Sequence, residues 1–228
     1  MENPARFSAD VAGLFPSGVI AAELTEPAPR ELLTSAEQQL MARCAEKRIQ
    51  DFAAGRACAH RALRELGIRD FSLLAGEHRE PLWPPGIVGS ITHTRGYAAA
   101  VVARQRDLKS VGLDCEGIDS VDEELWSRIC TPVEIERLAQ LSPAGRNRQA
   151  ALIFAAKEAF YKCQFPLTRA WVGFEDVVIE PLDWPATTGG LRVVPQKTLP
   201  LEAAVVARLI SRFQFRDPWV ITAVTAPN

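Results

Sequence analysis

The sequence predicts an α+β fold with mostly antiparallel strand pairing. Three observations lead there. Helical and strand-like segments come in blocks, in the order helix, strands, helices, strands. No strand–helix–strand unit repeats along the chain. No short-period repeat or low-complexity stretch interrupts the pattern. At 228 residues the chain is one large domain or two small ones. With 47% hydrophobic and 24% charged residues it has the composition of a packed globular protein, which excludes a disordered chain.

The elements follow in order. Residues 1–33 are proline-rich and poorly periodic, as for loop and short strand along a surface. Thr34-Ser35-Ala36-Glu37 fits a capping box and opens a helical run. A second helix is expected over residues 47–66, where Phe52, Ala59, Leu63 and Leu66 recur at helical spacing and Gly67 supplies the stop. Residues 77–85 read as loop. Residues 87–92 and 97–104 read as strands joined at Thr94-Arg95-Gly96, with a third strand over 110–115. Helices are expected over 122–129, 132–141 (opened by Pro132) and 146–163. Strands are expected over 176–179, 191–194, 203–210 and 219–224. A composition break near residues 104–109 suggests two halves.

Composition bounds the function. The 26 basic and 28 acidic residues leave a net charge of −2, unlike a generic nucleic-acid binder. The longest apolar run, 97–103, is strand-sized, so no membrane span is expected. Residues 1–10 carry Glu2 and Asp10 and no apolar core, so no secretory segment is expected. Cys44, Cys58, Cys115, Cys130 and Cys163 are odd in number and form no CxxC pair, which reads as reduced thiols in a cytoplasmic protein.

The common dinucleotide, Walker, zincin and serine-elbow motifs are absent. Four segments remain. In Val111-Gly112-Leu113-Asp114-Cys115-Glu116, strand periodicity places Asp114 and Glu116 on one face. Two such carboxylates repel unless a cation lies between them, and Mg²⁺ is a natural occupant; an exposed acidic strand end is the plainer alternative. In the helix around Ala156-Lys157-Glu158-Ala159, Glu158 and Lys162 form a favourable i,i+4 pair, which a surface helix would also show. His93 sits beside Ser90, Thr92 and Thr94, a setting that suits a phosphate and equally a satisfied loop histidine. Between Arg43 and Arg69 stand seven basic and three acidic residues, with Arg56, His60 and Arg64 on one helical face. Arginine's planar fork suits phosphate, and a solvated helix face is the alternative.

Five stretches, in this order, resemble the phosphopantetheinyl transferases of the surfactin-synthetase type, nearest the subgroup of the enterobactin-synthase and mycobacterial enzymes. They are FAAGRACAHRAL, EPLWPPGIVGSITHT, SVGLDCEGI, FAAKEAFYK and FPLTRAWVGFEDVVI. The resemblance runs from about residue 45 to 179. It implies two similar α/β halves related by a pseudo-twofold, here 1–106 and 107–228, with coenzyme A between them. It leaves the oligomeric state open, though a pseudo-twofold monomer already contains the symmetric cleft that a dimer would otherwise supply. Asp114, Glu116 and Glu158 match the Mg²⁺ ligands, with Mn²⁺ as an alternative ion. Arg48 and Arg56 match arginines that hold the 3′-phosphate of coenzyme A. His78, Arg79, Glu80 and Pro81 match a loop along the adenine, and Thr92 and His93 match contacts to coenzyme A phosphates. Lys162 matches a lysine on the pyrophosphate. Glu134 matches a glutamate of less defined role, and Trp171 and Phe174 fit either the pantetheine arm or the core.

The implied reaction moves 4′-phosphopantetheine from coenzyme A to a serine of an apo acyl, aryl or peptidyl carrier protein and releases adenosine 3′,5′-bisphosphate. Glu158, directly or through a metal-bound water, is the expected base and Lys162 the expected charge stabiliser. Siderophore or polyketide synthesis is the expected context. Two rivals share the same residues: a Mg²⁺-dependent coenzyme A or nucleotide pyrophosphatase, and a non-catalytic coenzyme A-binding module.

Overall fold

The computed structural model describes residues 7–228 and has the α+β architecture expected from the sequence. The chain divides after Asp107 into two units. The first contains β1 (Ile20–Leu24), α1 (Ser35–Leu40), α2 (Glu46–Glu65), β2 (Ile87–Thr94) and β3 (Tyr97–Arg104). Its three strands form an antiparallel sheet in the order β1-β3-β2. The second contains β4 (Leu108–Gly117), α3 (Glu123–Ile129), α4 (Pro132–Ala139), α5 (Pro143–Thr168), β5 (Val177–Pro181), β6 (Thr188–Pro195), α6 (Ala203–Val206), β7 (Ile210–Arg216) and β8 (Trp219–Pro227). Its antiparallel sheet runs β4-β8-β7-β6-β5.

Each unit packs one long helix on its sheet. Helix α2 is rich in alanine, the best helix former, and its small side chains let it lie close to the strands. Ala53, Ala57, Ala62 and Leu63 share a core with Ala22, Leu24, Ala98, Ala100 and Val102. Where α2 crosses β2, a Cβ on Gly55 would lie 2.8 Å from Ile91 Cγ2. The helix ends as the sequence suggests, with the Gly67 and Ile68 amides bonded back to the Arg64 and Leu63 carbonyls. In the second unit, Leu152, Ala155, Ala159 and Phe160 of α5 pack with Val220, Val224 and Phe213. Burying Phe160 is worth about 1.5–3 kcal/mol. Here the approach is tighter still. A Cβ on Gly112 of β4 would collide with the backbone carbonyl oxygen of Ala159.

Two expectations need correction. Residues 203–210 are not a strand: α6 covers Ala203–Val206 and the strand β7 begins at Ile210. The run Ala203-Ala204-Val205-Val206 is apolar without alternation. The period-2 signal lies further on, where Ser211, Phe213 and Phe215 face inward. Helix α5 also outruns its expected 146–163. Ser142 caps it, Pro143 occupies the first turn, and Pro166 is accommodated before the left-handed Arg169 ends it.

Candidate active site

Strand β4 and helix α5 bring the acidic residues of the second unit near one another. Asp114 is buried and Glu116, two residues on along the same face of β4, is half-buried. Because Gly112 carries no side chain, the α5 backbone at Ala159 lies directly on β4. That seats Glu158 and Lys162 beside the strand. Lys162 Nζ donates to Asp114 Oδ1 at 2.6 Å and to the Leu113 carbonyl at 3.3 Å. Glu116 accepts a hydrogen bond from the Ser120 hydroxyl at 3.1 Å.

The electrostatics of this group are unusual for surface carboxylates. Burial pushes Glu116 up to about 7, and the charges of Asp114 and Glu158 add to it. Burial and the Asp114 charge likewise raise Glu158. Three hard oxygen donors, with Glu116 and Glu158 raised in proton affinity, are a donor set suited to a small divalent cation such as Mg²⁺. Among the described residues no three histidine, cysteine, aspartate or glutamate side chains are gathered into a ready-made metal cluster. The ammonium of Lys162 supplies countercharge to Asp114.

Lys157, one residue before Glu158, faces the opposite way and is 2% exposed. Its ammonium donates to Glu134 Oε2 at 2.6 Å, to the Ile129 carbonyl at 2.9 Å and to the Phe174 carbonyl at 2.7 Å. Burial pulls its pKa down. Glu134 in turn accepts from the Thr131 amide at 2.7 Å and the Ile179 amide at 2.8 Å. The sequence reading left the role of Glu134 open and did not single out Lys157. The structure makes them a buried pair tying α4, α5 and β5 together.

In the first unit, α2 and β2 build a basic group. Ile91 rests on Gly55, so His93, two residues along the same face of β2, comes to α2. There the Arg48 Nη1 and His93 Nε2 atoms are 3.5 Å apart. Thr92 alternates to the other face and is buried. Arg56 is only 6% exposed. Its Nε donates to the Leu73 carbonyl at 2.8 Å and its guanidinium lies 4.3 Å over the Phe52 ring. Its two Nη groups make no hydrogen bond among the described residues. Burial pulls Arg56 down to about 10; the Glu37 charge opposes this and the Arg48 charge adds to it. Two guanidiniums close enough to feel each other's charge are a donor set suited to an anion.

Other expected contacts separate from this group. His60 does not join the arginines: its Nε2 lies 2.8 Å from Glu37 Oε1. His78 and Arg79 stand exposed at a loop tip, while Glu80 folds back to accept the His78 amide at 3.0 Å. Pro81 bridges to Ala75 at the loop's base. Trp171 is 75% exposed, so it is no core residue; its ring lies 5.2 Å from that of Tyr161. Phe174 packs edge-on against Phe154 at 5.6 Å.

Comparison with known proteins decides the family. Residues 36–103 match the model described as the 4′-phosphopantetheinyl transferase N-terminal domain, and residues 110–222 that of the 4′-phosphopantetheinyl transferase superfamily. A 4′-phosphopantetheinyl transferase of Nocardia iowensis is 41% identical over 73% of this chain and 74% of its own. One from Mycobacterium tuberculosis is 39% identical over 74% of this chain and 76% of its own. Enterobactin synthase component D of Escherichia coli is 42% identical over 58% of this chain and 62% of its own.

The chain belongs to the 4′-phosphopantetheinyl transferase superfamily. It is an enzyme of the phosphopantetheine-transferring class, with coenzyme A as the family's substrate. No helix among the described residues is long and apolar enough to cross a membrane.

Proposed function

We propose that this enzyme transfers 4′-phosphopantetheine from coenzyme A to a serine of an apo carrier protein, in a Mg²⁺-dependent reaction centred on β4 and α5. The observation that carries the reading is the acidic group Asp114, Glu116 and Glu158 with Lys162 bonded to Asp114. The serine oxygen attacks the pantetheine-bearing phosphorus of the pyrophosphate. The bond to the other phosphate breaks, and adenosine 3′,5′-bisphosphate leaves.

Each residue has a task in that step. Glu158 accepts the serine proton; its raised proton affinity brings it toward the range where a general base works best. Lys162, held at the site by Asp114, stabilises charge on the phosphoryl oxygens. Asp114, Glu116 and Glu158 would hold Mg²⁺, which when bound neutralises phosphate charge. Arg48, Arg56 and His93 hold the remote 3′-phosphate, so their binding energy orients the donor. The loop at His78 and Arg79 lies along the adenine.

The enterobactin synthase component among the relatives supports a carrier of siderophore synthesis as substrate, with polyketide carriers as the alternative. The five free thiols, four of them buried, suit a reducing cytoplasm.

Intact-mass spectrometry of an apo carrier protein tests the proposal. Incubation with the enzyme, coenzyme A and Mg²⁺ should add one phosphopantetheine, and chelator should prevent it. Release of adenosine 3′,5′-bisphosphate without carrier modification would replace the transferase reading with a hydrolase.

A further inference from the structure

We propose that the buried Glu37–His60 pair positions Arg56 for the 3′-phosphate of coenzyme A, acting through the backbone of Leu73. The proposal rests on the reading of Arg56 as a phosphate-binding residue. Neither Glu37 nor His60 would touch the donor.

Leu73 is fully buried and both of its backbone groups are engaged. Its amide donates to Glu37 Oε1 at 2.8 Å, and its carbonyl accepts from Arg56 Nε at 2.8 Å. Glu37 is itself fixed. Its Oε2 accepts the Thr34 amide at 2.9 Å, and its Oε1 also meets His60 Nε2 at 2.8 Å. The hydrogen bonds hold Glu37 below the usual carboxylate range against the opposing effect of burial, so it is ionised and His60 is the donor from Nε2. A further bond, Ser72 Oγ to Thr34 Oγ1 at 2.9 Å, ties the same segment to the start of α1.

The consequence falls on Arg56. Its guanidinium is planar, and one face lies on Phe52. Its one hydrogen bond among the described residues is Nε to Leu73. With the face stacked and Nε tethered, the direction of the two Nη groups is set. The Leu73 carbonyl is where it is because Glu37 holds the amide of the same residue. His60 completes the carboxylate's hydrogen bonds from the neighbouring turn of α2, four residues after Arg56. Burying this polar network under the phosphate site keeps the arginine from collapsing onto other partners.

The test compares coenzyme A with 3′-dephospho-coenzyme A as donors, by kcat/KM, in the full chain. Wild type should prefer coenzyme A, and Arg56→Ala should abolish that preference. If wild type shows no preference, the reading of Arg56 fails and this proposal with it. His60→Leu should lower the preference about tenfold, the size of one lost charge-assisted hydrogen bond, through KM for coenzyme A. His60→Gln, which keeps a side-chain N–H donor, should restore it. Preference retained in His60→Leu while Arg56→Ala loses it would overturn the positioning role. Equal losses on both donors would also overturn it, because they would mark support of the fold alone. Should His60→Leu not fold, the near-isosteric Glu37→Gln decides by the same ratio.

Discussion

Two buried glutamates, one in each unit, hold equivalent places and have different consequences. Glu37 and Glu134 are each the third residue of a capped short helix, behind Thr34 and Thr131. Each is 0% exposed. Each bonds a basic side chain 23 residues later on the long helix, His60 or Lys157. Each also accepts an amide from a third segment, Leu73 or Ile179. The difference begins one residue on. After His60 comes Arg61, which pairs with Glu65 at 3.1 Å on an exposed helix face. After Lys157 comes Glu158, and Lys162 in the place of Glu65 crosses to Asp114 on the neighbouring strand. The same scaffold thus carries a surface ion pair in one unit and the proposed reaction centre in the other. The hub fixes the helix; the residues one and five places later decide what the helix does.

The largest break in this comparison comes from Lys157. Lys157→Met leaves Glu134 buried without its cation, and loss of one member of a buried pair costs about 3–5 kcal/mol. His60→Leu should cost about 1–3 kcal/mol, because it removes a single hydrogen bond and Glu37 keeps two amide donors. Urea denaturation of both variants gives the ranking. Pairing Lys157→Met with Glu134→Gln should recover part of the loss, and a double variant no better than the single would show that the charge is not the cause.

The helix–strand contacts differ in the same direction. An alanine at Gly112 meets the Ala159 backbone, which cannot move without carrying Glu158 along. Gly112→Ala should therefore destabilise by about 1–3 kcal/mol and lower Mg²⁺ affinity measured by calorimetry. An alanine at Gly55 meets a side-chain methyl, Ile91 Cγ2, rather than backbone. There the gain in helix propensity, about 1 kcal/mol, offsets the repacking. Near-equal effects at the two glycines would remove the contrast.

Glu37 in the first unit and Glu116 in the second also respond oppositely to pH. Glu37 is depressed in the folded state, so the unfolded chain takes up its proton first. Its contribution is present above the usual value of 4.5 and lost as pH falls through the depressed one. Glu116 is raised from 4.5 to about 7, so the folded state holds its proton longer. Its contribution is present below 4.5 and lost as pH rises through about 7. In chelator, stability should decline from about pH 5 to about pH 7 with a slope that Glu116→Gln reduces. Metal ligands must be deprotonated, so Mg²⁺ affinity should weaken as pH falls below about 7.

Much of this was legible in the chain. The Thr34 capping box, the α2 span and the Arg95-Gly96 hairpin follow from local rules, and the structure places them there. Asp114 and Glu116 on one strand face follow from periodicity, and their family assignment from the order of five short motifs. The hubs were not legible, because Glu37 and His60 meet across 23 residues and nothing local marks a glutamate as buried. The available signal was the repeat itself: Thr-x-x-Glu followed by a basic residue at a fixed distance, twice in one chain. Charge density said little at His60: it stands on one helical face with Arg56 and Arg64, but burial gives it a carboxylate partner. In β7, the apolar run before Ile210 masked where alternation begins.

The smallest expected effect sharpens the comparison most. Arg61 and Glu65 occupy the places of Glu158 and Lys162, yet their side chains are 51% and 45% exposed. An exposed i,i+4 pair contributes about 0.3–0.5 kcal/mol. Arg61→Ala should therefore leave the urea midpoint almost unmoved and transfer rates unchanged. Lys162→Ala removes an ion pair whose aspartate is 6% exposed, and it should abolish transfer while the fold persists. Circular dichroism and carrier-protein mass shift, measured on the two variants side by side, read this directly. A loss of transfer in Arg61→Ala would mean that the first unit's helix face takes part in catalysis or carrier docking. The division of labour between the two helices would then have to be redrawn.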